Sequence, residues 1–380
     1  MKEVRTRFFQ LGKDFSLENA PGFGPLTLAY EVCGELSPER DNAILLFHAL
    51  SGSQHAAGTN PSVPGVGSLW QQECRTGWWH PFIGPNKPID TRRFCVICAN
   101  YLGGCYGSTG PRSRNPRTGK PYGGSFPWIT ANDIVDSQVR LLDHLGIDRL
   151  HAVIGPSLGG MLALNLAVRH PRRTRTVIPV AAAMEVSLLQ RIHNFEQIRA
   201  IEEDPDFRGG DYSGRRRPDQ GLSLARMISH KTFVSLRSMA VRARREIVEK
   251  PPVRSRRYRI SHPVESYLLH QAKKFVRRFD ANTYLRILGL WQNFDLVRDA
   301  GARGPAAVFR PCRKQRFLVF SIDSDVCFYP EDQENLVRRL QAARVYCRHI
   351  TVHSPKGHDA FLLEPGLFAP YLSYTLEEKW

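Results

Sequence analysis

A serine flanked by two glycines lies between a strand-like and a helix-like stretch of this sequence. The segment Gly155-Pro156-Ser157-Leu158-Gly159 follows an apolar run that starts at His151, and an apolar helical pattern starts at Met161. A Gly-x-Ser-x-Gly turn in this context holds a serine hydroxyl in a strained, accessible position, and the glycines leave room for the tight turn. The N-terminus of the following helix favours negative charge there. The pattern predicts Ser157 as a nucleophile.

A serine hydroxyl needs a neighbouring base, and two histidines near the C-terminus are candidates. In strand–turn–helix serine enzymes the acid and then the histidine follow the serine, each on a loop after a strand. His358 lies in a polar loop after the strand-like run that ends at Val352, whereas His353 continues that strand pattern, so His358 is preferred. The acid is Asp323 or Asp325, which both follow another strand-like run. Position alone does not choose between them.

Acyl transfer by such a triad develops an oxyanion, which needs preorganised hydrogen-bond donors. One predicted donor is the backbone N–H of Leu158, the residue after the serine. The second is expected in the loop after an early strand, at residues 47–52, which read Phe-His-Ala-Leu-Ser-Gly. Backbone atoms serve as donors in both places, so this expectation is compatible with an ordinary glycine-containing turn.

The elements that must position these residues alternate between strands and helices in two parts of the chain. Strands are predicted at 26–31, 43–48, 94–99, 152–154, 317–322 and 348–352, and helices at 130–146, from 161, at 330–342 and at 369–377. Such alternation predicts a mostly parallel sheet flanked by helices, which together with the serine turn indicates the α/β class and the α/β-hydrolase fold.

A central part of the chain lacks this strand rhythm. Between residues 185 and 300 only helical patterns occur, at 186–202, 222–230, 264–279 and 281–291. We therefore predict an all-helical lid domain at 185–300, inserted into a core domain formed by residues 1–184 and 301–380.

Composition limits the classes of function. The 380 residues are 42% hydrophobic and 23% charged, which is ordinary for a globular protein. The sequence has no apolar run of about 18 residues and no signal-peptide pattern at its N-terminus, so we expect a cytoplasmic protein without a membrane partner. The eight cysteines are scattered, and the pair Cys95 and Cys98 has no second pair at metal-site spacing. Buried free thiols and no metal are predicted.

The net charge of +17 raises the question of nucleic-acid binding. Arginines are concentrated at 215–217 and 237–259, where Pro251 and Pro252 interrupt any helix. No recognisable nucleic-acid module accompanies them, so we predict solvated loops and no nucleic-acid partner. A positive rim would still raise the local concentration of an anionic substrate.

Collinear segments through nearly the whole chain resemble the homoserine O-acetyltransferase family. They include residues 48–52, 102–111, 115–123, 204–212, 221–227, 278–282, 324–325 and 357–362. The resemblance implies that Asp325 is the acid of the triad and that the N–H of Leu50 is the second oxyanion donor. It also implies substrate contacts from Arg226 and Asp359. An arginine can grip the carboxylate of an amino-acid acceptor, and an aspartate can hold its ammonium group.

The chemistry implied by the resemblance is ping-pong acetyl transfer from acetyl-CoA to L-homoserine through an acyl-serine. The product would be O-acetyl-L-homoserine, a precursor of methionine, made without a bound cofactor by a homodimer formed through the helical lid. Succinyl-CoA as donor or serine as acceptor is the alternative, followed by a plain serine esterase. The sequence departs from the family pattern at Pro156, at Ile198, at 243–245 and between Asp325 and Pro330, where it is one residue longer. Donor and acceptor therefore stay open.

Overall fold

A single sheet organises the computed structural model, which describes residues 2–245 and 260–378. The strand order is β1-β2-β4-β3-β5-β6-β7-β8; β1 and β2 run antiparallel to their neighbours and all other pairs are parallel. The strands are β1 Arg7–Gln10, β2 Thr27–Cys33, β3 Ala43–Leu46, β4 Cys95–Ala99, β5 Leu150–Pro156, β6 Thr174–Val180, β7 Arg316–Ile322 and β8 Tyr346–Val352.

Helices cover both faces of the sheet. In the described residues they are α1 Ala131–His144, α2 Leu158–Arg169, α3 Leu188–Glu202, α4 Asp219–Phe233, α5 Leu236–Arg245, α6 Pro263–Arg278, α7 Ala281–Gln292, α8 Leu296–Asp299, α9 Pro330–Ala342, α10 Ala360–Leu363 and α11 Pro365–Glu377. Helices α3 to α8 all lie between β6 and β7 in the chain. None of the helices described is long and apolar enough to cross a membrane.

The core lies on both faces of the sheet. Every residue of β3, β4 and β7 is buried, as expected for parallel strands covered on both sides. Successive side chains of β3 alternate between two hydrophobic clusters. Leu45 lies in one cluster, and Ile44 and Leu46 lie in the other. This alternation fixes the register of the strand, because a slip of one residue would exchange the two faces.

The predicted fold class is confirmed, and six of the eight strands were predicted within a few residues. Strands β1 and β6 were missed. The first is a short, mostly exposed edge strand, and β6 reads Thr-Arg-Thr-Val-Ile-Pro-Val, in which polar residues and Pro179 conceal a buried strand. Helix α5 was also missed, and the arginine-rich stretch from residue 237 is helical up to Arg245 rather than a loop. Pro251 and Pro252 lie outside the described residues.

The cysteines follow the prediction in part. All eight are free thiols, but only five are buried, and Cys33, Cys74 and Cys347 are half-buried. Arg215 and Arg216 are exposed beside a turn, as predicted for the first arginine-rich stretch. The division into a core and a lid stays a prediction.

Candidate active site

The serine turn joins β5 directly to α2. Ser157 has φ 57° and ψ −130°, a conformation that costs a non-glycine residue of the order of 1–3 kcal/mol. Its N–H donates to the carbonyl of Val180 in β6 at 2.8 Å. A Cβ at Gly155 would lie 2.0 Å from the oxygen of Gly159, and a Cβ at Gly159 would lie 2.4 Å from the oxygen of Phe47. The predicted steric need for both glycines is confirmed, and Pro156 fits as the last residue of β5.

A histidine and an aspartate form a buried pair beside this turn. His358 Nδ1 lies 2.6 Å from Asp325 Oδ2, and the two side chains are 3% and 0% exposed. The other carboxylate oxygen of Asp325 accepts the backbone N–H groups of Cys327 at 2.8 Å and Phe328 at 2.9 Å. With Nδ1 donating to Asp325, Nε2 of His358 is the nitrogen that can accept a proton. It has no hydrogen-bond partner among the described residues.

The two alternatives that the spacing left open form a second pair on the surface. His353 Nδ1 lies 3.0 Å from Asp323 Oδ2, with the side chains 82% and 41% exposed. Asp323 also accepts the backbone N–H of Ser354 at 3.0 Å. Neither His353 nor Asp323 lines the cavity that contains Ser157. The structure therefore pairs His358 with Asp325 and not with Asp323, and His358 shares a cavity with Ser157.

A cavity of about 360 Å³ contains Ser157 and His358 in its wall together with Leu50. Leu50 lies in a turn closed by the N–H of Gly52, which donates to the oxygen of Ala49 at 3.0 Å. The N–H of Leu50 itself makes no hydrogen bond to the described part of the chain. Leu158 is the first residue of α2, so the helix offers its N–H no acceptor. Both predicted oxyanion donors are unengaged backbone groups.

Arg226 of α4 lines the same cavity. Its guanidinium carbon lies 4.7 Å from the ring centre of Phe275 and 5.3 Å from that of Phe233, and its Nε has no partner among the described residues. Burial lowers the pKa of Arg226, and repulsion from Arg278 adds to this effect. A half-buried cation held by aromatic faces with an unpaired donor is suited to bind a carboxylate.

Asp359 lines the same cavity as Arg226. It precedes α10, yet its side chain makes no capping hydrogen bond with the described residues, and its N–H donates to the oxygen of Phe233 at 2.9 Å. Burial raises the pKa of Asp359, while the charges of His358 and Arg226 lower it in part. The interpretation of Asp359 as a helix cap therefore lacks the hydrogen bond that it requires.

Further cavity residues were not singled out from the sequence. Glu73 lies 3.2 Å from Lys274 and 3.1 Å from Arg278, and all three line the cavity with Tyr106 and Trp78. The partners are far apart in the chain, so no local spacing pattern could have joined them. Among the described residues, no cluster of histidine, cysteine and acidic side chains could hold a metal ion.

Comparison with known proteins places this geometry among enzymes. The sequence model of the α/β hydrolase fold matches residues 42–365. Homoserine O-acetyltransferase of Moorella thermoacetica is 40% identical over 99% of this chain and 96% of its own length. Homoserine O-succinyltransferase of Saccharophagus degradans is also 40% identical, over 95% of this chain and 92% of its own.

Two solved structures share the fold of this chain, and their names state different activities. Homoserine O-acetyltransferase from Bacillus anthracis superposes with a TM-score of 0.88 at 28% identity, covering 100% of this chain and 99% of the other. Esterase E22 superposes with a TM-score of 0.85 at 28% identity, covering 98% of this chain and 100% of the other.

Proposed function

The chain belongs to the homoserine O-acetyltransferase family of the α/β-hydrolase fold, and from this premise we propose that it transfers an acetyl group from acetyl-CoA to the hydroxyl of L-homoserine. The observation that carries the proposal is one cavity that combines two sets of groups. Ser157 and His358, paired with Asp325, supply acyl-transfer chemistry, and Arg226 with Asp359 matches the two charges of an amino acid. The product is O-acetyl-L-homoserine, a methionine precursor made in the cytoplasm.

In the first half-reaction Ser157 becomes acetylated. His358 Nε2 takes the proton of the serine hydroxyl while the oxygen attacks the thioester carbonyl. The N–H groups of Leu50 and Leu158 stabilise the oxyanion, and Asp325 stabilises the imidazolium. The C–S bond then breaks, and coenzyme A leaves as a thiol with the proton from His358.

In the second half-reaction homoserine replaces coenzyme A. Arg226 holds the carboxylate of the acceptor and Asp359 its ammonium group, so the acceptor hydroxyl is oriented toward the acyl-serine. His358 takes the hydroxyl proton, the new ester bond forms through a second oxyanion, and Ser157 leaves with the proton. The helical stretch 185–300 acts as a lid that keeps water from competing for the acyl group.

We infer the acetyl donor from the named relatives, and the ion pairs at the cavity wall are compatible with it. A succinyl group carries a distal carboxylate that needs a cation. Lys274 and Arg278 line the cavity, but Glu73 lies between them at 3.2 and 3.1 Å and neutralises part of their charge. Arg226 is the cation assigned to the acceptor. The uncharged acetyl group needs no cationic partner.

We also propose that two copies associate through α3. Leu188, Ile192 and Phe195 recur at helical spacing on one face of this helix and are 77%, 47% and 58% exposed. A stripe of large apolar side chains is unfavourable in water, and a symmetric partner would bury it. This agrees with the homodimer that the family resemblance implies.

The test is steady-state kinetics with acetyl-CoA and succinyl-CoA, each with L-homoserine and L-serine. We expect parallel lines in double-reciprocal plots of the initial rate, as a ping-pong mechanism gives, and the highest kcat/KM for acetyl-CoA with homoserine. A preference for succinyl-CoA would replace the donor and keep the triad. Coenzyme A release that does not depend on an acceptor would identify a hydrolase, and Ser157→Ala serves as the blank.

A further inference from the structure

The turn that carries Leu50 is held at several points by the core. The hydroxyl of Tyr101 donates to the oxygen of His48, and the indole N–H of Trp78 donates to the oxygen of Ser53 at 2.9 Å. Between these anchors the N–H of Gly52 closes the turn. A backbone donor for an oxyanion must be fixed to within a fraction of an ångström, so each anchor bears on the rate.

One anchor comes from the helical stretch instead of the core. Arg278 is the last residue of α6, and its Nη1 donates to the oxygen of Ser51 at 3.2 Å. The peptide between Ser51 and Gly52 is thereby held on both edges, since its N–H donates to the oxygen of Ala49. That peptide is the second one after the Ala49–Leu50 peptide, whose N–H is the proposed oxyanion donor.

The guanidinium of Arg278 is itself fixed. Its Nε lies 3.1 Å from Glu73, and its Nη1 lies 3.2 Å from the hydroxyl of Tyr106. That hydroxyl also donates to the backbone oxygen of Arg278 at 2.6 Å, and the ring of Phe275 lies 5.1 Å from the guanidinium carbon. The side chain is only 19% exposed. A planar guanidinium group held by these contacts has little conformational freedom.

We propose that Arg278 is a positioning residue that couples α6 to the turn at residues 49–52, so that the N–H of Leu50 is correctly aimed only while α6 is docked on this turn. The proposal rests on the acyl-serine chemistry proposed above, but not on the identity of the donor or acceptor. A purely structural role for Arg278 would stabilise α6 through Glu73 and Phe275 and leave the turn unaffected.

The experiment compares Arg278→Lys with the wild type on two esters, p-nitrophenyl acetate and its thionoester analogue. The release of p-nitrophenol in the first turnover reports acylation of Ser157. Sulfur is larger than oxygen and accepts hydrogen bonds weakly, so a well-formed oxyanion site prefers the oxygen ester. Lysine keeps the charge but cannot hold Glu73, Tyr106 and Ser51 together.

We expect Arg278→Lys to slow acylation by the oxygen ester about 10- to 100-fold, because a displaced donor costs part of the effect of a deleted one. The thionoester rate should change less than about 3-fold, so the oxygen-to-sulfur rate ratio falls. A ratio equal to that of the wild type would overturn the proposal. Wild-type protein that releases p-nitrophenol from neither ester would instead refute the Ser157 chemistry, and this inference with it.

Arg286 offers a matched control. The guanidinium of this buried residue of α7 donates to two backbone oxygens of a loop, that of Phe126 at 2.8 Å and that of Gly124 at 2.7 Å. Arg286 does not line the cavity that contains Ser157. Arg286→Lys should keep the wild-type ratio. If Arg278→Lys does not fold, Tyr106→Phe loosens the same guanidinium; it should lower the ratio by a smaller factor, and a wild-type ratio there would overturn the proposal.

Discussion

Two aspartates separated by one residue have different surroundings in this protein. Asp325 is buried and accepts two backbone N–H groups as well as the Nδ1 proton of His358. Asp323 pairs with His353 in solvent, where exposed ion pairs contribute little. The same residue type at nearly the same position in the chain is therefore expected to matter for catalysis in one case only.

Asp325→Asn should lower kcat by about 10⁴-fold, because the amide stabilises the wrong tautomer of the histidine and no longer stabilises the imidazolium. Asp323→Asn is the matched control and should stay within about 3-fold of the wild type, as most surface substitutions do. Initial rates of coenzyme A release measure both. Equal losses in the two variants would argue against Asp325 as the triad acid.

We predict a pH dependence of the reaction that comes from Asp359. Burial raises the pKa of this carboxyl, so it takes up a proton at a higher pH than an ordinary aspartate, whose pKa is about 3.9. The protonated form cannot pair with the ammonium group of the acceptor. As pH falls, kcat/KM for homoserine should therefore decline through this raised pKa.

The comparison that isolates this effect is acylation by p-nitrophenyl acetate, which involves no acceptor. Asp359→Asn should raise KM for homoserine about 10- to 100-fold, because a charged hydrogen bond to the acceptor is lost. The decline of kcat/KM for homoserine at low pH that is due to Asp359 should also disappear. Acylation by the ester should keep its pH profile. An unchanged KM for homoserine would leave Asp359 without the role assigned to it.

At the scale of elements, the approach of α2 to the loop after β3 brings Ser157 into the same cavity as the turn that carries Leu50. This approach depends on Gly159, where a Cβ would lie 2.4 Å from the oxygen of Phe47 and 2.9 Å from that of His48. These are backbone atoms, which cannot rotate away as a side chain would. The helix or the loop would have to move.

Gly159→Ala should destabilise the protein by about 1–3 kcal/mol, the usual cost of overpacking, and reduce kcat more than 10-fold by shifting the turn. Gly366→Ala is the control in α11, where nothing lies within 4 Å of the added Cβ; it should be neutral or stabilising by up to about 1 kcal/mol. Urea unfolding and initial rates measure both effects. A Gly159→Ala variant with wild-type stability and rate would contradict this account of the turn.

At the scale of the whole molecule, the apolar stripe of Leu188, Ile192 and Phe195 on α3 is exposed to solvent in a single chain. Phe195→Asp should convert a dimer into a monomer, because a charge at the centre of an apolar interface costs several kcal/mol. Tyr374 on α11 is 59% exposed, and Tyr374→Asp is the matched control. Light scattering after gel filtration gives the mass. Dissociation by the Tyr374 variant alone would move the interface to α11.

The sequence by itself determined the features that depend on local pattern. The serine turn between a strand and a helix, the order of serine and histidine, and most elements follow from residue types a few positions apart. The misses at β6 and α5 have a physical reason too: burial of β6 depends on neighbouring strands, and α5 depends on packing against α6, which local propensity does not record.

Only the tertiary structure decided which distant groups meet. Residue spacing left Asp323 and Asp325 equal, and family resemblance alone favoured Asp325; the packed chain buries Asp325 against His358 and leaves Asp323 in solvent. The contact of Arg278 with Ser51 joins residues far apart in the sequence. Such contacts depend on the path of the chain through the sheet, because side-chain hydrogen bonds act over about 3 Å in space and carry no trace in sequence spacing.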